Sequence, residues 1–521
     1  MFNFNHSEVS CVLDLLSTKP WRKIDDVTII TPRSRDYCCD MRLGVAAICS
    51  SQPNPRFTMP KPEPQLPLGS SSTLRGFAES FAFHNSPESF ITSRIIAFQK
   101  EHPEAVENRA VVRAKVLNRN VAIVSSHTQI HQVLADDAAG YEASGAYAEL
   151  MAPFFPSPNL LLTDGDKHAS MRQTWETRME SLKAVLVPLV SGRVDQHFSE
   201  PSSSEIDMYE ALKRLSWKIL LGTFLDLDSN NTLFDTIESL QEDLLRGQFS
   251  LFPVTINTVF WHSPRKKGKE ANKKLQGRIS RHLEETKSAC PFAIANQDDR
   301  EDIAKHSVLF TSSLAVKALA SLLTAFMSNI FLYRTKDGRS LADDLASENE
   351  PGRLSLRLRA ILLETERLSP PIVGVMRRST RDNIISTPGD QADIKIPKGW
   401  DCWLYFVGGG RDPSTYGSTW DVFDPDRYLD KDLPPGVAYG AGPKTCLGRD
   451  AIREIALAVG ETFLRLEIGM RGLIESRGVR GWLGWEPNDS VMPADWAQDM
   501  KQLPTQRPTD PIMIRVSRTS V

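Results

Sequence analysis

The sequence predicts a mainly α-helical protein with small β-sheets, an α+β arrangement built as a single large domain. Three observations carry this. Apolar residues recur at helical spacing through most of the chain from about residue 75 onward. Short β-branched runs bounded by turn residues lie near both ends. Hydrophobic residues at 41% with charged residues at 24% describe a globular chain able to bury a sizeable core.

In chain order, residues 1–58 mix Ser, Arg, Asp and scattered Cys without sustained periodicity and read as a divergent or weakly ordered leader. Pro60, Pro62, Pro64 and Pro67 then make a stiff segment, and the domain is expected over residues 59–521. Val111–Leu117 and Val121–Ser125 read as a hairpin around Asn118-Arg119-Asn120. Asp393–Ile396 and Trp400–Val407, separated by Pro397-Lys398-Gly399, read as a second strand-turn-strand. Long apolar helices are predicted over Met208–Phe224, Ile303–Tyr333, Leu354–Leu368 and Asp450–Leu466. No internal repeat is present.

A formal net charge of -3 argues against a nucleic-acid partner. The seven cysteines form an odd count with no CxxC spacing, so neither a zinc site nor a disulfide framework is indicated. A reducing, intracellular setting is expected. No apolar run reads as a membrane span, and the head of the chain lacks a charged region followed by an apolar one.

The chemistry concentrates in Tyr439-Gly-Ala-Gly-Pro-Lys-Thr-Cys-Leu-Gly448, which leads into the predicted helix Asp450–Leu466. Gly440 and Gly442 free the backbone for positive φ and for close approach to a flat ligand. Cys446 stands where a helix begins, and the partial positive charge there favours a thiolate. A phosphate loop would use the same glycines. However, Thr445 replaces the third glycine of the dinucleotide fingerprint, and the Lys-Ser pair is missing. Elsewhere, Glu364 and Arg367 share a helix face three residues apart. His168 and Arg172 share one four residues apart.

The glycine-cysteine loop resembles the haem loop of the cytochrome P-450 (haem-thiolate monooxygenase) family, and the chain looks like a divergent, eukaryotic-type biosynthetic member. The order Glu364-Thr-Glu-Arg367, then Phe423-Asp-Pro-Asp-Arg427, then the cysteine loop is the specific signal. The resemblance implies the family's fold, haem b with Cys446 as axial thiolate, and a buried Glu364–Arg367–Arg427 triad steadying the segment that carries the cysteine. It implies that His168, Arg172, Arg377 and Lys444 contact the haem propionates. Lys444 stands in for the usual arginine as a point charge rather than a fork, and a one-residue shift would exchange Arg377 with Arg378. Gly440, Gly442 and Gly448 shape the loop. Tyr439 replaces the usual phenylalanine beside the cysteine, and its hydroxyl needs a partner if buried.

Family members place an acid and a threonine in the long helix above the iron. Here Ala320-Ser-Leu-Leu-Thr324 keeps Thr324, the candidate proton-handling residue, with leucine in the acid's place. A second register, Thr311–Ala315, keeps neither. Three readings stay open: ordinary monooxygenation with protons relayed by water or substrate, peroxide-driven chemistry, or oxidation without oxygen insertion by desaturation, coupling or rearrangement. By family position the pocket is Phe154, Phe155, Ile372, Val373 and Val491, all apolar, suited to a lipophilic small molecule in specialised metabolism. The resemblance also implies a separate NADPH-dependent reductase, with Arg449 and Arg453 as candidate contacts. Its expected place is the cytoplasm or the periphery of the endoplasmic reticulum, without a transmembrane anchor. The run Phe249–Trp261, followed by basic residues to Lys274, suits peripheral contact with an anionic membrane. It suits equally a core loop followed by a solvated helix face.

Overall fold

The computed structural model describes residues 63–67, 76–101, 111–116, 119–155, 157–198, 205–249, 263–286, 297–333, 339–387, 392–430, 433–472, 500–501, 505–508 and 511–518. Residues 60–521 make one compact unit, and residues 1–59 lie outside the described part. The helices of ten residues or more are α1 Gly76–Asn85, α2 Pro87–Glu101, α3 Gly165–Glu180, α4 Lys183–His197, α5 Met208–Leu225 and α6 Thr232–Gln248. They continue as α7 Pro264–Glu285, α8 Gln297–Phe310, α9 Ser313–Met327, α10 Pro351–Leu368 and α11 Arg449–Arg465.

Two of the four predicted helices end within a residue or two of expectation, and α10 begins three residues early because Pro351 sits at its first turn, where a missing N–H costs nothing. The fourth is a correction. The run Ile303–Tyr333 is not one helix but α8, α9 and a π-helical turn, Ser328–Leu332. The break falls at Thr311-Ser312. Thr311 Oγ1 donates to the Ser307 carbonyl at 2.7 Å, and Ser312 caps α9 by accepting from the Ala315 N–H at 3.2 Å. Hydroxyl side chains that compete for backbone partners end one helix and start the next. Ser313–Leu332 is also long and apolar enough to cross a membrane by length and composition alone, but 78% of its most apolar 18-residue window is buried inside the protein.

Besides a short antiparallel pair, Met500–Lys501 with Arg507–Pro508, the described strands are β1 Val112–Val116, β2 Arg119–Val124, β3 Tyr141–Glu142, β4 Glu205–Asp207, β5 Gly374–Ser379, β6 Asn383–Ile385, β7 Ile394–Ile396, β8 Asp401–Tyr405, β9 Ile468–Gly472 and β10 Met513–Arg518. The expected hairpin forms: β1 and β2 are antiparallel, with Val112 opposite Ile123. They enter a five-stranded sheet of order β1-β2-β8-β5-β3, in which β2 and β8 run parallel. The second expected strand-turn-strand forms, as β7, a turn and β8. β7 pairs with β6 and β8 joins the larger sheet, so the turn at Gly399 (φ 82°) carries the chain from one sheet to another. β10 joins β4 to β9 near the chain's end.

The main core lies among the helices, around the fully buried Trp217, Phe234, Phe326 and Phe463. α11 passes close to α9, since a Cβ on Gly460 would meet the Phe326 ring at 3.1 Å. That contact brings the helix behind Cys446 against the long central pair.

Candidate active site

The cysteine loop folds as its glycines require. Gly440 and Gly442 take φ of 72° and 66°, and a Cβ on Gly442 would lie 2.2 Å from the Leu134 carbonyl oxygen. The Cys446 N–H donates to the Tyr439 carbonyl at 2.9 Å and the Thr445 N–H to Gly442 at 3.0 Å, closing a tight loop. Gly448 then opens α11. Cys446 is exposed to a cavity of about 730 Å³, lined by α3, α4, α10 and α11. Burial pushes its thiol up, and the N–H groups of Gly448 and Arg449 with the Arg172 guanidinium pull the other way. Cys402, the other described cysteine, is fully buried in β8, where burial and Asp401 raise its thiol further.

Three chain segments bring basic side chains beside this loop. His168 and Arg172 come from the start of α3, Arg377 from β5 and Lys444 from the loop itself. Lys444 pairs with Asp164 at 3.3 Å and donates to the Thr163 carbonyl at 2.5 Å. Arg172 donates to the Thr445 carbonyl at 2.6 Å and to Glu176 at 2.7 Å. Arg377 meets no carboxylate among the described residues, and its guanidinium donates only to the Met376 carbonyl, at 2.9 Å. Burial lowers its proton affinity, with Tyr147 and Asp164 opposing. His168 is buried without a hydrogen-bond partner among the described residues. Burial, then Lys444 and Arg172, hold it down to about 4, so the ring is neutral at pH 7.

Arg378, the neighbour of Arg377 in β5, grips both oxygens of the buried Asp401 at 2.9 and 3.1 Å. Tyr147, which no spacing marks in the sequence, accepts the Met376 N–H at 3.0 Å and stands next to Arg377.

Glu364, Arg367 and Arg427 come together at 0–1% side-chain exposure. Arg367 forks onto Glu364 with two bonds of 2.7 Å, and Arg427 Nε reaches the same carboxylate at 3.1 Å. The remaining guanidinium protons go to the carbonyls of Gly410, Thr419 and Val422. Three buried charges are thereby mutually satisfied. Two residues on, Glu366 points to the other side of α10. It takes the Tyr439 hydroxyl at 2.9 Å and both ends of the Arg453 fork, the shorter at 2.6 Å. Arg453 is therefore turned inward, and Arg449 pairs with Asp450 at 2.9 Å.

Thr324 is fully buried, and its hydroxyl donates to the Ala320 carbonyl at 2.7 Å. It lies two residues from Phe326, hence on the opposite side of α9 from the face that meets α11. Its hydroxyl bonds back onto α9 itself, with no hydrogen bond to the cysteine loop among the described residues. Phe154 is packed between α6 and α7, its ring 2.9 Å from where a Cβ would stand on either Gly247 or Gly268. Phe155 and Val373 are buried, and Ile372 is partly so. Val491 and the run 250–262 lie outside the described residues, while Lys267, Lys273 and Lys274 form an exposed face of α7.

A model of the family described as Cytochrome P450 matches residues 356–472, the stretch holding Glu364, Arg367, Arg427 and Cys446. Cytochrome P450 85A1 of Solanum lycopersicum is 23% identical, covering 66% of this chain and 75% of its own length. The 3-epi-6-deoxocathasterone 23-monooxygenase CYP90D1 of Arabidopsis thaliana is 20% identical over 72% of this chain and 78% of its own. Cytochrome P450 monooxygenase gsfF of Penicillium aethiopicum is 28% identical over 31% and 35%. The structure of retinoic acid-bound cyanobacterial CYP120A1 superposes with TM-score 0.61 at 17% identity, covering 88% of this chain and all of that one. Over the matched stretch the chain is similar to the cytochrome P450 family, and its fold is that of the cytochrome P450 structures. The likeness is to enzymes of the cytochrome P450 monooxygenase type, a class that holds haem iron through a thiolate ligand.

The residues present fit that group. The loop offers one accessible thiol against a helix N-terminus, and the cations beside it include a guanidinium with no anion of its own. Haem brings two carboxylates, which match that donor set.

Proposed function

We propose that this enzyme holds haem b through Cys446 and oxidises a lipophilic small molecule in specialised metabolism, with electrons passed from NADPH by a separate reductase. The observation that carries the reading is the placement of Cys446: the described thiol that opens onto a cavity sits at the start of α11, while Cys402 is sealed in a sheet. Haem iron, when bound, supplies the oxidising chemistry. The chain's own residues hold and orient it. Gly440, Gly442 and Gly448 let the backbone approach, Arg377, Arg172, His168 and Lys444 face its carboxylates, and the Glu364–Arg367–Arg427 triad steadies the loop. Ile372 and Val373 follow α10 as apolar candidates for the substrate side. The relatives named from Arabidopsis and Penicillium support a biosynthetic role.

The test is the absorption spectrum of the reduced, carbon monoxide-treated protein. Wild type should show the thiolate-ligated form and Cys446→Ser should lose it. A thiolate-type spectrum surviving in Cys446→Ser rejects the assignment.

A second reading, oxidation without oxygen insertion, draws on one observation. α9 carries no carboxylate, and Glu242 from α6 is committed to Ser313 at 2.6 Å and Lys317 at 3.0 Å. Product formed under isotopically heavy dioxygen separates the readings, since incorporated label supports monooxygenation.

A further inference from the structure

Glu366 is 1% exposed and is the second carboxylate of the Glu364-Thr-Glu-Arg367 run. Burying a carboxylate is costly unless it is paired and hydrogen-bonded. Glu364 is accounted for by Arg367 and Arg427, whereas Glu366 takes no part in that triad. Its partners are Arg453 from α11, bonding both oxygens, and the hydroxyl of Tyr439 from the cysteine loop. The Arg453 guanidinium also lies 5.2 Å from the centre of the Tyr439 ring. Tyr439 is in turn the residue whose carbonyl receives the Cys446 N–H at 2.9 Å. One buried carboxylate thus ties the end of α10, the first turns of α11 and the residue holding the Cys446 backbone.

We propose that Glu366, Arg453 and Tyr439 form a second buried clamp that positions the Cys446 sulfur and sets its electrostatic surroundings. Tyr439 and Glu366 are then positioning residues, acting through Cys446 rather than on substrate. The inference rests on the reading of Cys446 as the ligand. The hydroxyl dipole offsets part of the Glu366 charge on the sulfur's side, and Arg453 offsets the rest. Removing the hydroxyl leaves the site more negative, and removing the carboxylate leaves it more positive. The two changes oppose each other in sign although both fall on the two ends of one hydrogen bond.

The experiment is the midpoint potential of the ferric–ferrous couple in full-length haem-loaded protein, with thermal unfolding measured in parallel. Tyr439→Phe should lower the potential and Glu366→Gln should raise it, while both lose thermal stability. Arg453→Lys keeps the charge and should stay closer to wild type than Glu366→Gln, which covers poor folding of the latter. Shifts of the same sign, or none, in Tyr439→Phe and Glu366→Gln overturn the clamp even where Cys446→Ser confirms the ligand. A thiolate-type carbon monoxide spectrum retained by Cys446→Ser overturns the ligand reading itself, and the clamp with it.

Discussion

Arg377 donates to the carbonyl of Met376, its own neighbour in β5, at 2.9 Å, and to no carboxylate among the described residues. Arg378, on the other face of the same strand, chelates Asp401. Hydrogen bonds to charged groups contribute about 1.5–3 kcal/mol, so Arg377→Leu should weaken haem retention by about tenfold or more. Arg378→Leu should cost stability yet leave retention by folded protein intact. Haem-to-protein ratio after transfer to a competing apoprotein measures both. Equal retention in the two variants would reassign the propionate contact.

Removing one member of a buried charge cluster leaves the others uncompensated, at a cost of about 3–5 kcal/mol. Arg367→Leu should reach that range in urea unfolding, because it strips Glu364 of its bidentate partner, leaving Arg427, and the carbonyls of Gly410, Trp420 and Val422 lose a donor. A loss below about 1 kcal/mol, within the range of exposed ion pairs, contradicts the buried geometry.

Gly268 and Gly277 lie in the same helix but in opposite settings. A Cβ at 268 would meet the Phe154 ring at 2.9 Å and the Gly247 Cα at 3.0 Å, whereas one at 277 meets nothing within 4 Å. Gly268→Ala should therefore destabilise by about 1–3 kcal/mol through overpacking. Gly277→Ala should stabilise by up to about 1 kcal/mol through helix propensity. Paired denaturation curves check the signs.

His197 lies far along the chain from the cysteine loop and is held down to about 4 by burial, then by Lys218, whose ammonium donates to Nδ1 at 3.1 Å. The unfolded chain binds its proton near pH 6.5, so between that value and about 4 the unfolded state carries more protons. Stability must fall as pH drops through this window. At pH 5 the loss relative to pH 7 should be about 2 kcal/mol at most. His197→Gln should flatten that part of the profile, and parallel profiles for the two proteins would refute the assignment.

The parts legible in the sequence were those whose signal is local. Glycines needing positive φ, a cysteine at a helix start and the Glu364–Arg367 spacing all announce themselves within ten residues. The break at Thr311-Ser312 was hidden because the apolar period runs on through it, and only the hydroxyl-to-backbone bonds interrupt the helix. That β7 and β8 enter different sheets is not legible, because a Pro-Lys-Gly turn does not say which sheet the next strand enters. The pairings of Tyr147 and Arg453 stay hidden in the sequence for a third reason. Their partners, Met376 and Glu366, lie 229 and 87 residues away in sequence.

The cavity beside Cys446 holds five basic residues among its walls, yet four of them are already answered: Arg172 by Glu176, Lys183 by Glu180, Arg449 by Asp450 and Arg453 by Glu366. Such pairs cancel at a distance, and what remains fades within a Debye length of roughly 10 Å. An electron donor arriving on this side would find little long-range pull and would have to succeed on fit. Reduction rates should then stay nearly flat as salt is added, unlike those of proteins that steer their donors by field.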